Sequence, residues 1–482
     1  MKLRELLTGV PICAGSADLE MEISGVSYDS RTTQPGDLFV AMTGFATDGH
    51  QYIAKALANG AAAVLCQRRP AEACAYVQTE DSRRALAVIG GNWFGHPAEE
   101  MTMIAVTGTC GKTTTTYLLK AILEQARGVK VGLIGTNQNM IGSDVIPTER
   151  TTPESFEVQK LFREMADAGC THVVMETSSH ALYLDRVYGV RYDVGIFTNL
   201  TQDHLDFHKT MENYCDAKAI LFRNCVTGVV NADDPWTPRL LKDADCKVMT
   251  YAKQADADLR AENIVLSAGG IAFDAVSGAE RVPIRVNIPG GFMVYNTLDV
   301  LGAALALGIS LEESAAVLAK VPHVKGRVEI VPTPGKDYTI LIDYAHTPDS
   351  MVNVLQTVKE FAKGRTVAVF GCGGDRDRTK RPLMGKAAAD WSDFAVVTTD
   401  NPRTEEPEAI IADILPGFDG SATPYHVVVD RIEAIHWAMD HAEADDVIVL
   451  CGKGHETYQE VNHVKHHMDE REIVADYLSS GR

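Results

Sequence analysis

One stretch constrains this chain more than any other: Ile104-Ala105-Val106-Thr107-Gly108-Thr109-Cys110-Gly111-Lys112-Thr113-Thr114-Thr115-Thr116. An apolar, strand-like run ends in a turn carrying two glycines, and a helical pattern with Leu118, Leu119, Ile122 and Leu123 begins where that turn closes. This arrangement reads as a phosphate cradle. Glycines let backbone N–H groups approach an anion, and the following helix adds its positive end. Lys112 supplies a point charge, and the Thr113 hydroxyl can reach Mg²⁺. The spacing departs from the general Walker form, because the position five before Gly111 is Val106 and the first glycine is Gly108. A tight strand-to-helix turn without a ligand is the alternative, and the meeting of Gly, Gly, Lys and Thr at a strand end speaks against it. A chain built around such a loop is expected to be α/β, with a mostly parallel sheet and ligands at the strands' C-terminal ends.

At 482 residues the chain exceeds a single core. Three domains are expected: 1–99, 100–328 and 329–482. A net charge of −20 argues against binding nucleic acid or an anionic membrane through the overall field, so an anionic ligand must be held by local groups. Ten cysteines, none in a CxxC pair, suggest neither a zinc knuckle nor a disulfide framework, and reduced thiols in a cytoplasm are the simpler reading. No apolar run is long enough to span a bilayer. The chain is expected to be neither exported nor membrane-embedded.

In residues 1–99, a strand at Leu38–Ala41, a helix from Tyr52 to Asn59, a strand at Ala61–Leu65 and a helix from Ser82 to Trp93 suggest a small α/β unit. Tyr28-Asp29-Ser30-Arg31 reads there as a turn. Beyond the phosphate loop comes a strand at Lys130–Ile134. Thr151-Thr152-Pro153 then opens a helix running to about Ala168, where the two hydroxyls either cap the helix or face an anion. The strand His172–Met175 delivers Glu176 at its tip, where a hard cation beside bound phosphates finds oxygen ligands. Strand Val194–Phe197 leads into Asn199-Leu200-Thr201-Gln202-Asp203-His204-Leu205-Asp206-Phe207-His208. His204 and His208, four apart, could share a helix face and bind zinc, although no third soft ligand lies nearby. Lys218, taken alone, is a helix lysine with a solvated head.

From about residue 329, three apolar strands, Val367–Phe370, Phe394–Val397 and Val447–Leu450, each run into a polar loop. These are Gly371-Cys372-Gly373-Gly374-Asp375-Arg376, Asp400-Asn401-Pro402-Arg403 and Gly452-Lys453-Gly454-His455-Glu456. Such an edge is Rossmann-like, though the GxGxxG spacing is not met. Its arginines suit carboxylates and Glu456 suits an ammonium, which together would fit a zwitterion; an exposed charged loop is the alternative.

These motifs, with Glu176-x-Ser178-Ser179-His180, Ala217-Lys218, Tyr295-Asn296, Gly326-Arg327 and Asp343-Tyr344-Ala345-His346-Thr347-Pro348-Asp349, resemble those of the Mur ligases over essentially the whole chain. These are the ATP-dependent amide-forming enzymes of peptidoglycan precursor synthesis, and the likeness is greatest to members adding the third residue of the stem peptide. The resemblance implies a P-loop ATPase-like central sheet and a Rossmann-like C-terminal domain. It implies a two-step reaction through an acyl phosphate, and ATP contacts at Gly108, Thr109, Cys110, Gly111, Lys112, Thr113, Thr114, Asn296, Arg327 and Asp343. Tyr28, Ser30, Thr151, Thr152, Ser178 and Arg186 would hold UDP-N-acetylmuramoyl-L-alanyl-D-glutamate.

By the same resemblance Thr113, Glu176, His204 and a carbamylated Lys218 would hold Mg²⁺, and Lys112, Glu176, His204 and Lys218 would carry the catalysis. Arg376, Asp400, Asn401, Pro402, Arg403, Gly452 and Glu456 would bind the added amino acid. Asp400 to Arg403 matches the motif that goes with meso-diaminopimelate, whose extra carboxylate Arg403 can pair with. A cytoplasmic monomer is expected. The chain departs from the family's usual residues at Cys110, Leu184 and Met293. A folylpolyglutamate or cyanophycin-type ligase, or a non-catalytic ATP-binding protein on the same scaffold, are the other readings. The first hundred residues and Asp400–Arg403 speak against the former, and the presence of Lys112, Glu176, His204 and Lys218 against the latter.

Overall fold

Thr102–Thr107, the strand that feeds the glycine loop, lies between two parallel neighbours, His172–Glu176 and Tyr192–Phe197. The sheet continues in parallel through Cys225–Asn231 and Lys247–Ala252 on one side and through Val131–Ile134 on the other. A hairpin, Asn139–Ile141 with Asp144–Ile146, extends that second side antiparallel. The strands read as near-continuous apolar runs because helices cover both faces. Met103, Ala105, Val173, Met175 and Phe197 pack in one core with Val158, Phe162 and Met165 of the helix Ser155–Asp167.

The computed structural model describes residues 1–44, 47–148, 150–267, 269–321 and 325–480. It forms two units, one made of Met1–Asp258 with Asp299–Ile309, the other of Leu259–Leu298 with Ser310–Arg482. The first unit also contains a five-stranded sheet in the order Ala14–Gly15, Tyr76–Gln78, Ala63–Cys66, Asp37–Val40, Gly25–Ser27. Its helix Ser82–Phe94 is capped by Asp81, which accepts from the N–H groups of Arg83 and Arg84, and it ends at Gly95 in the left-handed region. This helix lies against Ser155–Asp167, with the rings of Phe94 and Phe156 5.1 Å apart.

The expected elements of the first hundred residues are present with shifted ends. The second strand is Ala63–Cys66, and the helix is Ile53–Ala58 after a 3₁₀ turn at Gly49–Tyr52. Thr151 and Thr152 do not open a helix as expected. Glu154 is the N-cap of Ser155–Asp167, and the two threonines are spent on the neighbouring strand-end loops.

In the second unit, Thr366–Phe370, Phe394–Val397 and Val447–Cys451 are neighbours in a six-stranded sheet that also includes Glu329–Val331, Thr339–Asp343 and Tyr425–Val427. All its pairings are parallel except that of Glu329–Val331 with Thr339–Asp343. The three polar loops therefore leave one edge, as a doubly wound sheet requires. Leu259–Ser267, Gly270–Ser277 and Glu280–Val286 form an antiparallel meander that the sequence reading had not singled out.

Asp299, on the helix Phe292–Ala306, is fully buried. Among the described side chains its two carboxyl oxygens receive only the Thr115 hydroxyl, at 3.1 and 3.0 Å. Burial pushes this carboxyl well above the usual carboxylate range. The unfolded chain releases the Asp299 proton as pH rises through about 4, while the folded chain keeps it, so stability is lost with rising pH until the folded pKa is passed. Asp299→Asn cannot ionise. It is expected to melt above the parent by the equivalent of about 1–2 kcal/mol near pH 8, the gap shrinking toward about pH 4. Thermal melts across that range check this, and a gap independent of pH would contradict it.

Candidate active site

The glycine loop owes its shape to close backbone packing. Gly108 has φ 153° and Gly111 φ 93°. A Cβ on Gly108 would stand 1.8 Å from Thr198 Oγ1, so no other residue fits there. The loop is latched to the segment following Tyr192–Phe197. Cys110 N–H donates to Asn199 Oδ1 at 3.0 Å, and Cys110 O accepts from Thr198 Oγ1 at 2.6 Å and Asn199 Nδ2 at 3.1 Å. Thr109 N–H donates to Asn199 O at 2.8 Å. Cys110 thus enters the cradle through its backbone, which explains how the loop keeps its form with cysteine at this place. The helix Lys112–Arg127 starts without a side-chain cap, and Lys112 Nζ folds back onto Gly108 O at 2.9 Å and Thr109 O at 2.8 Å.

Lys218 is not solvated, contrary to the reading of that residue alone. Its helix, Met211–Ala219, carries it to 1% exposure, where Nζ donates to Gly108 O at 2.8 Å and sits 4.4 Å from the Tyr214 ring centroid. Among the described residues no carboxylate lies within ion-pair distance of it. Burial first, then the nearby Lys112 charge, pull its pKa well below that of an ordinary lysine. Two lysines therefore converge on one carbonyl of the loop, and the cost of burying a second cation there falls on Lys218.

Glu176 ends its strand fully buried. Oε1 accepts from Thr136 N–H at 2.9 Å and Oε2 from the Thr136 hydroxyl at 2.8 Å. Among the described residues no cationic side chain pairs with it. The Thr136 and Thr151 hydroxyls are 2.9 Å apart, and Thr152 donates to Glu176 O at 2.9 Å while accepting from Ser178 N–H at 3.2 Å. Arg186 donates to Thr152 O at 3.1 Å and lies 3.5 Å from Glu154, which also faces Arg83 at 3.4 Å. Thr151, Thr152, Ser178 and Arg186, singled out separately in the sequence, thus form one network around Glu176. Tyr28 reaches its edge: burial and a hydrogen bond to Glu157 raise its phenol. Ser30 is buried on the same loop as Tyr28, its carbonyl accepting from Asn59 at 2.8 Å.

His204 sits at φ 52° just before the short helix Leu205–His208, 4.8 Å from the His180 ring, and burial lowers its pKa. His208 turns away to Ser179 Oγ at 2.9 Å, stacks on Tyr214 and is lowered to about 4 by burial. It is a satisfied core histidine, so the zinc pair does not form. Among the described residues no group of three or more His, Cys, Asp or Glu side chains is arranged to hold a metal.

In the second unit Asp400 and Asn401 are buried beneath the edge formed by the three polar strand-end loops. Asn401 Nδ2 donates to Glu456 Oε2 at 2.9 Å, and buried Lys453 donates both to Asn401 Oδ1 and to Glu456 Oε2 at 2.9 Å. Gly452, at φ 114°, lets Asp400 approach, since a Cβ would stand 2.5 Å from Asp400 Oδ2. Gly373 lies between Arg403 and Arg376, its position 3.0 Å from Arg403 Nη1 and 3.7 Å from Arg376 Cγ if a Cβ were present. Arg376 itself is exposed, and Pro402 O crowds Gly374. Asp343 is buried and its carboxyl raised, with Val328 N–H on Oδ2 at 2.9 Å and Arg327 lying over the Tyr344 ring at 5.6 Å. Asn296 is buried on its helix, one turn after Met293, whose sulfur receives its Nδ2 at 3.8 Å. Thr136, Glu154, Arg83, Lys453 and Glu460 were not assigned roles from sequence. Thr136 and Lys453 carried a signal, each standing next to a glycine at a strand end.

The first unit thus holds a glycine loop of phosphate-binding form with a buried lysine and a buried glutamate nearby, and the second a charged strand-end surface on a doubly wound sheet, the class of α/β architecture suited to phosphate-bearing ligands. Three family models match: Mur ligase family, catalytic domain, at 22–92; Mur ligase middle domain at 106–304; and Mur ligase, glutamate ligase domain, at 326–454. The chain is 48% identical over 463 residues, 95% of each chain, to the UDP-N-acetylmuramoyl-L-alanyl-D-glutamate--2,6-diaminopimelate ligase of Clostridium botulinum. It is 47% identical over 481 residues, 99% of each, to such a ligase of Clostridium acetobutylicum. A solved structure of a ligase of that name superposes with a TM-score of 0.73 at 33% identity, covering 100% of this chain and 99% of the other. The chain belongs to the Mur ligase family.

Proposed function

We propose that this chain is the ligase that uses ATP to join meso-diaminopimelate to the D-glutamyl carboxylate of UDP-N-acetylmuramoyl-L-alanyl-D-glutamate, in peptidoglycan precursor synthesis. The observation that carries this is the near full-length identity to ligases of that name. The γ-phosphate of ATP passes to the substrate carboxylate, giving an acyl phosphate. The amino group of diaminopimelate attacks its carbonyl carbon, the C–O bond to phosphate breaks, and the amide forms with release of phosphate. Residues 1–99 are read as the UDP-substrate domain, 100–328 as the ATP domain and 329–482 as the amino-acid domain, in a cytoplasmic monomer. No helix of the described residues is long and apolar enough to cross a membrane.

The loop from Gly108 to Thr114 holds the phosphates, with Lys112 released from its own carbonyls to meet them, and Asn296, Arg327 and Asp343 hold the rest of the nucleotide. Tyr28, Ser30, Thr151, Thr152, Ser178 and Arg186 place the UDP-substrate. Glu176 is a buried carboxyl group without a cationic partner among the described residues, and with the Thr113 hydroxyl it offers hard oxygen donors of the kind Mg²⁺ takes. Lys218 is buried against the loop with its amine pKa pulled down, which favours the unprotonated form that adds CO₂: nitrogen bonds to carbon, one proton leaves, and a carboxylate replaces the amine. Thr113, Glu176, His204 and that carbamate would hold Mg²⁺, which when bound supplies positive charge between the phosphates and the incoming carboxylate.

Labelling the D-glutamyl carboxylate with ¹⁸O tests the acyl phosphate. With ATP and diaminopimelate, the label is expected in the released phosphate. Label in AMP, or in neither product, would overturn it.

A further inference from the structure

The arginine expected to select the amino acid is not free. Arg403 occupies φ 50°, a region that costs energy for a residue with a side chain, so its neighbours must hold it there. The strand Tyr458–Val461 of a short hairpin does so. Arg403 N–H donates to Glu460 O at 3.0 Å, Asn462 N–H donates to Arg403 O at 2.8 Å, and Arg403 bridges Val461 in parallel. The same strand reaches the rest of the loop: Glu460 N–H donates to Asn401 Oδ1 at 2.9 Å and Gln459 Nε2 to Asp400 O at 2.8 Å.

The guanidinium is fixed as firmly as the backbone. Nε donates to Glu460 Oε2 at 3.1 Å and Nη1 to Gly374 O at 2.8 Å, both side chains being mostly buried. A guanidinium held at these two nitrogens is restrained from swinging, and Nη2, with no acceptor among the described residues, keeps its donors for a further acceptor.

We propose that Glu460 is a positioning residue for amino-acid selection, holding Arg403 by Nε so that its remaining donors meet the second carboxylate of the incoming amino acid. The proposal rests on the reading of Arg403 given under the proposed function. Glu460 also neutralises Arg403 until that carboxylate arrives, so the edge rewards a correctly placed carboxylate rather than any nearby anion.

Steady-state kinetics on the full chain test this with Glu460→Ala, Glu460→Gln, Arg403→Ala and the Arg403→Ala/Glu460→Ala double variant, meso-diaminopimelate being the varied substrate. Glu460→Ala is expected to raise its KM about tenfold, leaving kcat and the KM values for ATP and the UDP-substrate within about twofold. Glu460→Gln, whose amide oxygen still accepts from Nε, should recover most of the loss. On the Arg403→Ala background, Glu460→Ala should add less than about twofold, because Glu460 acts through Arg403. An unchanged KM in Glu460→Ala, a parallel rise in all three KM values, or full additivity in the double variant would overturn the proposal. A parent enzyme inactive with diaminopimelate would instead overturn the proposed function.

Discussion

Lys218→Ala is expected to lower kcat by about a thousandfold, with ATP still bound and the fold intact. The amine is buried against the phosphate loop, where a bare cation beside Lys112 is less favoured than the unprotonated amine. As a carbamate it would add a second carboxylate to the Glu176 and Thr113 oxygens, where among the described residues no group of three or more His, Cys, Asp or Glu is arranged to hold a metal. Alanine removes that anion, and arginine restores only a cation, so Lys218→Arg should be equally inactive. The checks are ADP release with all three substrates, ATP binding by calorimetry and a thermal melt. Parent protein equilibrated with ¹³C-bicarbonate should show a carbamate carbon signal absent from Lys218→Ala. Activity of Lys218→Ala within about tenfold of the parent would contradict the role.

Arg403→Ala should raise the KM for meso-diaminopimelate about a hundredfold, the scale of about 2–3 kcal/mol for a lost charge-assisted hydrogen-bonded pair. Lysine lacks the second carboxylate, so its use should change little, and the expected preference for diaminopimelate should collapse. Arg403→Lys should rescue weakly, because an ammonium cannot bond Glu460 and Gly374 O while also presenting a donor edge to a ligand. Parallel kcat/KM measurements with both amino acids check this, and an unchanged ratio would contradict it.

What could be read from the sequence follows the range of the interactions. The phosphate loop was legible because its constraints are local: glycines where φ is positive, a lysine, and a helix following. Glu176 was legible because a strand's tip is set by the apolar run before it. The three polar loops were legible for the same reason, and the sheet places their strands side by side. Lys218 read alone looked solvated, since its burial comes from docking against Gly108, 110 positions earlier. The hairpin that holds Arg403 was likewise invisible, because Glu460 meets it across 57 positions. Thr151 and Thr152 carried a capping signal, but Glu154 took the cap and the threonines bonded to strand-end loops instead.

The most direct measurement of the central claim is mass spectrometry of the product formed from ATP, Mg²⁺ and UDP-N-acetylmuramoyl-L-alanyl-D-glutamate with meso-diaminopimelate, L-lysine or no amino acid in parallel. The account predicts an amide product carrying one diaminopimelate, stoichiometric with ADP and phosphate, and little or none with lysine. A lysine adduct as the main product, or no adduct with either amino acid, would contradict it.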